Sequence, residues 1–343
     1  MPLIRIVLAD HDFMYINHLA QWFIENKPSQ FQISVFTEKE SFDRFVSENG
    51  DRIDIILAAE DFLVDNVRQN IESVVLGQAV RLSGLPSVEK YQPAPSVCSE
   101  ILSILSDSVT GAEKWLSTGK SRLIACFSTN TCLKSALAIM LASLSNDYVY
   151  INFESFPFYT LSDNVQDYGK NLSDILYHIK SRKSNPVMAL ESAVVTGAGP
   201  CSFIPQLDNP RDLWELTDNE IDDLTETLKS WGHFSKVIAD LECNTGLVTM
   251  KMLEAASNIL IPFDRTNQHQ VPGIKNFLKS INGLNNEKVR WVFCGKSDEL
   301  RLPEEPGNLF ELPWLNGSIP VSCGFSIDSE MKNRLADLLE NLG

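Results

Sequence analysis

Apolar residues along this chain alternate between short strand-like runs and stretches with helical spacing. In the first hundred residues, runs such as Ile4–Ala9 and Ile53–Ala58 are β-branched and largely apolar, and the segments between them carry apolar residues three and four positions apart. Strands that are apolar on both faces are typical of parallel sheets covered by helices. The pattern therefore predicts a doubly wound, flavodoxin-like α/β domain. Its predicted strands are 4–9, 31–36, 53–58, 73–76 and 88–91, and its closing helix is 94–105.

The second part of the chain repeats this alternation after a polar, glycine-punctuated segment. We therefore expect a first domain at 1–108, a linker at 109–120 and a second doubly wound domain at 121–343. Ligands of such parallel sheets bind at the carboxyl ends of the strands. The apolar spacing in Ser329–Leu342 predicts a last helix that packs on the core, with membrane insertion as the less favoured alternative. The predicted strands of the second domain are 123–127, 148–153, 236–240, 259–263 and 289–293.

Composition and charge narrow the classes of function. The 343 residues exceed what one hydrophobic core usually holds, and the net charge of −16 repels nucleic acid and anionic membranes. The longest strongly apolar stretch, Ala136–Leu144, is far shorter than the ~20 residues of a membrane span. The seven cysteines are scattered singly, without the spacing of a zinc site or a disulfide framework. We expect a cytoplasmic protein with no integral membrane segment and no nucleic-acid partner.

An acidic turn, Asp10-His11-Asp12, follows the first predicted strand. This order resembles a response-regulator receiver domain, whose chemistry needs an acid pair for Mg²⁺, an aspartate after strand three and a lysine after strand five. Asp10 and Asp12 belong to this degenerate pocket and Lys90 matches the lysine. However, His11 stands where the second acid is expected and Ala59 occupies the phospho-acceptor position. Without a carboxylate nucleophile no acyl-phosphate can form, so a structural or docking role is predicted.

A strand, a loop and a helix around Lys134-Ser135 provide the setting of a phosphate-binding loop. The helix is predicted to open at Lys134. The segment aligns with the MinD/ParA pattern K-G-G-x-G-K-T, but every glycine is replaced, and Thr129 stands in place of the signature lysine. Glycines let backbone amides wrap a phosphate without steric cost. Lys134 as a solvent-facing lysine remains the alternative. The candidate nucleotide-binding residues are Asn130, Thr131, Cys132, Leu133, Lys134 and Ser135.

Two acidic residues end predicted strands of the second domain. Glu154 follows 148–153, where this ATPase class places its switch I carboxylate, and Asp240 ends the buried strand 236–240, as a Walker-B aspartate does. Both are candidate catalytic residues. If ATP binds, Lys134 is expected on the phosphates, and Ser135 and Asp240 are expected to hold Mg²⁺.

Receiver-like and ATPase-like parts in this order resemble the TadZ/CpaE family of tight-adherence (Flp/Tad) pilus assembly, within the MinD/ParA superfamily. The resemblance implies a homodimeric, atypical ATPase or pseudo-ATPase that localises or assembles pilus or secretion proteins. It also implies a place at a cell pole or at the inner face of the membrane, with peripheral association through partners. A slow ATPase switch that dimerises with nucleotide is the alternative; a DNA-partitioning role is disfavoured by the charge. The residues that carry the resemblance are Ile4–Asp12, Lys90–Gln92, Tyr150–Glu154, Pro210–Leu216 and Val237–Leu241.

Overall fold

Two compact units make up the chain in this computed structural model. Contacts group the N-terminal part with Lys183–Ser192, whereas Gly119–Arg182 and the chain from Ala193 onward form the second unit. The predicted fold class, two α/β domains with parallel sheets, is confirmed. Of the predicted linker 109–120, residues 109–118 lie outside the described part. The structure describes residues 3–28, 30–64, 71–80, 82, 84–107, 119–159, 161, 169–183, 185–197, 200–302, 306–313 and 327–342.

The first unit contains a five-stranded parallel sheet with the order β2-β1-β3-β4-β5. Successive strands are added on one side of β1 and then on the other, so the strand order reverses between β1 and β3, where flavodoxin-like folds bind ligands. The elements are β1 (Ile4–Ala9), α1 (Phe13–Asn26), β2 (Phe31–Phe36), α2 (Lys39–Asn49), β3 (Ile55–Ala58), α3 (Glu60–Leu63), β4 (Glu72–Leu76), β5 (Ser87–Val88) and α4 (Ala94–Asp107).

Strand β1 shows why this sheet is covered on both faces. Ile6 and Leu8 pack in one hydrophobic cluster with residues of α1 and α4. Val7 and Ala9 point to the opposite face and pack with residues of α2 and α3. Successive side chains of a strand point to opposite faces, so the unbroken apolar run in the sequence becomes two cores.

The second unit contains a seven-stranded sheet with the order β12-β11-β10-β6-β9-β7-β8, in which all strand pairs are parallel. The remaining elements of the chain are β6 (Arg122–Cys126), α5 (Thr131–Ala142), β7 (Tyr148–Phe153), α6 (Leu172–Lys180), α7 (Pro186–Ala193), β8 (Ser202–Ile204), α8 (Arg211–Trp214), α9 (Asp218–Ser230), β9 (Lys236–Leu241), α10 (Leu247–Ala255), β10 (Asn258–Phe263), α11 (Val271–Ser280), β11 (Val289–Cys294), β12 (Leu309–Leu312) and α12 (Ser329–Glu340). No described helix has the length and apolar character needed to cross a lipid bilayer.

Most of helix α7 belongs by its contacts to the first unit, although it lies within the predicted second domain. Met188 is fully buried in the cluster that α1 and α4 also line. The side-chain amide of Asn185 donates a hydrogen bond to the Leu105 carbonyl at 3.0 Å, and the Ser99 hydroxyl donates one to the Ser192 carbonyl. The chain therefore passes from the second unit into the first and back around this helix.

Helix α5 is buried on all sides, so the candidate site residues Lys134 and Ser135 lie inside the protein. Its residues from Leu133 to Ala142 are all buried. Leu137 and Met140 share a hydrophobic cluster with Leu335 and Leu338 of α12. The prediction that the last helix packs on the core is thus confirmed, and any polar side chain on α5 must find its partners inside the protein.

Candidate functional site

The loop before α5 is held in place by hydrogen bonds from its own side chains. The sequence predicted that the helix opens at Lys134, which is wrong: α5 begins at Thr131. Asn130 is its N-cap, and the side-chain oxygen of Asn130 accepts a hydrogen bond from the Leu133 amide at 3.1 Å. Asparagine is among the preferred N-cap residues because it satisfies a free amide of the first turn. Thr131, Cys132 and Leu133 therefore form the first helical turn.

Side-chain hydrogen bonds also hold the turn between β6 and α5. The Ser128 hydroxyl donates to the Pro262 carbonyl at 2.6 Å and accepts from the Asn130 amide at 3.0 Å. The Asn130 side chain donates to Asp264 at 3.3 Å, and Asn267 donates to the Thr129 hydroxyl at 3.0 Å. Asp264 and Asn267 were not identified from the sequence, although they follow a buried strand.

The ammonium group of Lys134 is enclosed by acceptors. Its Nζ lies 2.7 Å from Glu154 Oε1 and 2.7 Å from Asp240 Oδ1, and it donates to the Leu241 carbonyl. The side chain has 0% exposure, so the alternative of a solvent-facing lysine is wrong. The contact with Asp240 Oδ1 is an ion pair without the angle of a hydrogen bond. Because Lys134 is buried, its charge would be costly without these partners.

Charge within this cluster is unequal, since two carboxylates face one ammonium. Burial opposes the charged form of Lys134, but Asp240 and Glu154 outweigh it and hold the pKa of the lysine above its usual value. Burial, reinforced by the charge of Asp240, raises the pKa of Glu154 in spite of Lys134. The lysine therefore stays charged, and it is the cation that offsets the desolvation of both carboxylates.

A chain of hydrogen bonds along β7 completes the cluster. The Tyr150 hydroxyl donates to Asp240 Oδ2 at 2.8 Å and accepts from the Asn152 side chain at 3.0 Å. The amide of Glu154 donates to the Asn152 side-chain oxygen at 2.7 Å, and the Ser135 hydroxyl donates to Glu154 Oε2 at 3.3 Å. Tyr150 and Asn152 were missed from the sequence; their signal is the Tyr-x-Asn-x-Glu alternation, which puts all three side chains on one face of the strand.

The residues as arranged do not fit MgATP. The oxygens of Ser135, Glu154 and Asp240 are the ligand type that Mg²⁺ prefers, but the ammonium of Lys134 contacts both carboxylates. The amide of Leu133 is already bonded to Asn130. Among the described residues, no group of three or more His, Cys, Asp and Glu side chains has the geometry of a metal site. Binding MgATP therefore requires that the Lys134 ammonium move away from Glu154 and Asp240 and that the hydrogen bond between Asn130 and the Leu133 amide break.

In the first unit, the receiver-like residues lie together at the carboxyl ends of β1 and β3. Lys90 Nζ lies 2.9 Å from Asp10 Oδ2, and the Tyr91 hydroxyl donates to Asp12 Oδ2 at 3.0 Å. Asp12 also accepts a hydrogen bond from the Tyr15 amide as the N-cap of α1. Ala59 follows β3, and its side chain packs against the hydrophobic cluster lined by α2 and α3. The structure thus brings Asp10, Asp12 and Lys90 together, whereas Ala59 packs on the neighbouring hydrophobic cluster.

Comparisons with known proteins give structural similarities only. No protein-family model matches the chain, and no curated protein is significantly similar to it. A plasmid partition protein from Borrelia burgdorferi B31 bound to AMPPNP is 12% identical, with a TM-score of 0.48, over 65% of this chain and 98% of its own. A ParA family ATPase from Chlorobium tepidum is 16% identical, with a TM-score of 0.40, over 51% and 74%.

A third similar structure is the cobyrinic acid a,c-diamide synthase from Mycobacterium smegmatis with a bound ATP analogue and magnesium. It is 16% identical, with a TM-score of 0.36, over 50% of this chain and 70% of its own. All three TM-scores are below 0.5, so the functional assignment rests on the geometry of the Lys134 cluster.

Proposed function

We propose that this protein is a MinD/ParA-like pseudo-ATPase that works as a scaffold and not by turnover of nucleotide. The observation that carries the proposal is the double ion pair of Lys134 with Glu154 and Asp240, at 2.7 Å each. In an ATPase of this class the lysine neutralises phosphate charge. Here it neutralises two carboxylates of its own chain, which leaves no cation for the nucleotide.

The energetic cost supports this proposal. Taking one partner away from a buried ion pair destabilises a protein by about 3–5 kcal/mol. If nucleotide binding required that loss, affinity would fall by roughly two to three and a half powers of ten. A nucleotide site with a micromolar dissociation constant for ATP would then have one of roughly 0.1–3 mM.

Loss of hydrolysis is supported separately by the residue at position 129. Thr129 stands where the MinD/ParA pattern has a lysine, and its hydroxyl accepts a hydrogen bond from Asn267 at 3.0 Å. A cation at this position would offset the charge that develops in the transition state. Threonine has no charge to offer, so even bound nucleotide would turn over slowly.

The biological role that we propose is to localise or assemble a tight-adherence pilus or a related secretion machinery, as a homodimer in the cytoplasm, at a cell pole or at the inner membrane face through partners. The resemblance of the sequence to TadZ/CpaE proteins supports it. So does the net charge of −16, which disfavours the DNA binding of a partition protein. Its test is pilus assembly in a strain that lacks the gene and carries either wild-type protein or an Asp240→Asn variant. We expect both to restore pili. Failure of the wild-type protein would overturn this role, and failure of the variant alone, with native circular dichroism, would favour a nucleotide-dependent role.

An active, slow ATPase switch is the second candidate. It is favoured by one observation: Ser135, Glu154 and Asp240 lie around one point and have the oxygen ligands that Mg²⁺ needs. In that case nucleotide would release the ammonium of Lys134 toward the phosphates, and Mg²⁺ would replace it between the carboxylates.

Calorimetric titration with MgATP, followed by a phosphate-release assay on the same sample, separates the two functions. We expect no binding heat at micromolar nucleotide and no phosphate release above the rate of an Asp240→Asn control. Tight binding together with phosphate release that Asp240→Asn abolishes would overturn the scaffold proposal and establish the switch.

A further inference from the structure

An open apolar groove lies in the second unit beside the Lys134 cluster. Its volume is about 250 Å³, and Phe153 and Leu241 contribute to its lining. These two residues are the chain neighbours of Glu154 and Asp240. The groove thus lies at the carboxyl ends of β7 and β9, between α8 and α10. Among the described residues, its apolar walls include Leu213, Trp214, Leu216, Leu247 and Val248.

Large apolar side chains at this groove are exposed to water. Trp214 is 63% exposed and Leu247 is 39% exposed. Phe156, which is 80% exposed, directly follows Ser155, and the Ser155 hydroxyl donates to the groove residue Glu242 at 2.9 Å. Tryptophan is the residue type most enriched among the energetic centres of protein interfaces. Exposed aromatic side chains beside an apolar groove are therefore typical of a contact surface.

The chain that forms one side of the groove is strongly acidic. Between residues 208 and 226 the only basic residue is Arg211. Lys251 is shared between Asp218 and Asp222, at 3.1 and 2.8 Å, and Lys180 lies 3.8 Å from Glu215. These lysines do not balance the acids of the segment, which are Asp208, Asp212, Glu215, Asp218, Glu220, Asp222, Asp223 and Glu226.

We infer that this groove binds a basic, amphipathic helical segment of a partner protein. The groove is smaller than the roughly 300–1,000 Å³ of pockets that enclose small molecules, and its size suits one or two apolar side chains from a helix laid across it. The acidic segment selects for Lys and Arg around those side chains, since complementary charge speeds encounter and disfavours acidic competitors. The same charge disfavours a second copy of this acidic chain.

This inference goes beyond the proposed scaffold function and does not depend on it. Among the described residues, Lys134 is held by Glu154, Asp240 and the Leu241 carbonyl. Changes at Trp214 and Leu247 leave these partners in place, so peptide binding can be measured without nucleotide. A protein that hydrolysed ATP could still bind the segment, and a pseudo-ATPase could fail to bind it. The two proposals therefore fail separately.

The test uses the full-length protein and two fluorescein-labelled peptides of about 14 residues, or roughly four helical turns. One is an amphipathic Leu/Lys helix, and the other has Glu in place of Lys. Fluorescence anisotropy gives the affinity, and light scattering gives the oligomeric state with and without peptide. Trp214→Ala and Leu247→Ser test the groove. Phe13→Ala, at an aromatic side chain of the first unit that is 59% exposed, is the matched control.

We expect saturable binding of the Leu/Lys peptide that weakens at about 1 M salt, where the Debye length is ~3 Å. Trp214→Ala should weaken it about 30-fold, as expected for an interface centre, and Leu247→Ser about tenfold, whereas Phe13→Ala leaves it unchanged. Equal binding of the Leu/Glu peptide, or full affinity in both groove variants with native circular dichroism, would overturn the inference. So would a wild-type dimer that either groove variant dissociates, because a second copy would then occupy the groove.

Discussion

Lys134 Nζ and Asp240 Oδ1 lie 2.7 Å apart in a site where neither side chain is exposed to solvent. The two residues are more than a hundred positions apart in the sequence. One is in the first turns of α5 and the other near the end of β9. Their contact shows that the turn after β6 and the end of β9 converge at one point, at the carboxyl ends of the parallel strands. It also shows that the lysine is bound to a carboxylate of its own chain.

Shortening Lys134 should turn the cluster into a cation site. In a Lys134→Ala variant, Glu154 and Asp240 keep their oxygens but lose the ammonium, and the shorter side chain leaves room for an ion. We expect millimolar MgCl₂ to raise the Tm of this variant and to leave the wild-type Tm unchanged, because a ligand that binds only the folded state stabilises it. Differential scanning calorimetry measures both. Lys134→Ala/Asp240→Asn is the control, and an equal response of wild type and Lys134→Ala would contradict the account.

Replacing Asn130 should destabilise the protein through loss of the N-cap of α5. Asn130→Ala removes the acceptor of the Leu133 amide, and N-cap substitutions of this kind typically cost about 1 kcal/mol. Asn130→Ser keeps an N-cap acceptor without placing a second carboxylate beside Asp264, and should retain most of the stability. Urea unfolding followed by circular dichroism measures the difference. If neither variant changes the free energy of unfolding, the loop before α5 is open in solution and this prediction is contradicted.

The receiver-like pocket of the first unit should not accept a phosphoryl group. Ala59 has no nucleophile, and the ion pair of Lys90 with Asp10 occupies the pocket acid. Incubation of the protein with acetyl phosphate and Mg²⁺ should therefore leave its intact mass unchanged. An added phosphate that hydroxylamine removes would identify an acyl-phosphate and contradict this prediction. An Asp10→Asn variant then shows whether the pocket is the site of modification.

Much of the fold followed from local patterns. Apolar runs such as Ile4–Ala9 and 259–263 must be covered on both faces, which is sufficient to predict parallel sheets. The convergence of Lys134, Glu154 and Asp240 was also predictable, because the carboxyl ends of parallel strands meet at one edge of the sheet.

Other features depend on contacts between distant residues and could not be predicted. The complete burial of α5 depends on the packing of α12 against Leu137 and Met140, about two hundred residues further along the chain. Nothing in the segment around Met188 indicates that it completes the core of the first unit. The predicted start of α5 was too late because residues 130–133, which lack the glycines of a phosphate loop, were interpreted as a loop. In the structure Asn130 is the N-cap and Thr131 begins the helix.

Lys134 is the internal counter-ion of Glu154 and Asp240. The free energy of unfolding of Lys134→Met, measured without nucleotide, tests this role most directly. An apolar side chain of similar length leaves two buried carboxylates without a cation, so we expect a loss of about 3–5 kcal/mol in urea unfolding. Adding Glu154→Gln and Asp240→Asn to that variant should recover most of the loss. Lys279→Met, on an exposed position of α11, should change stability by less than about 0.5 kcal/mol. If Lys134→Met is as stable as Lys279→Met, then Lys134 is not the internal cation of this site.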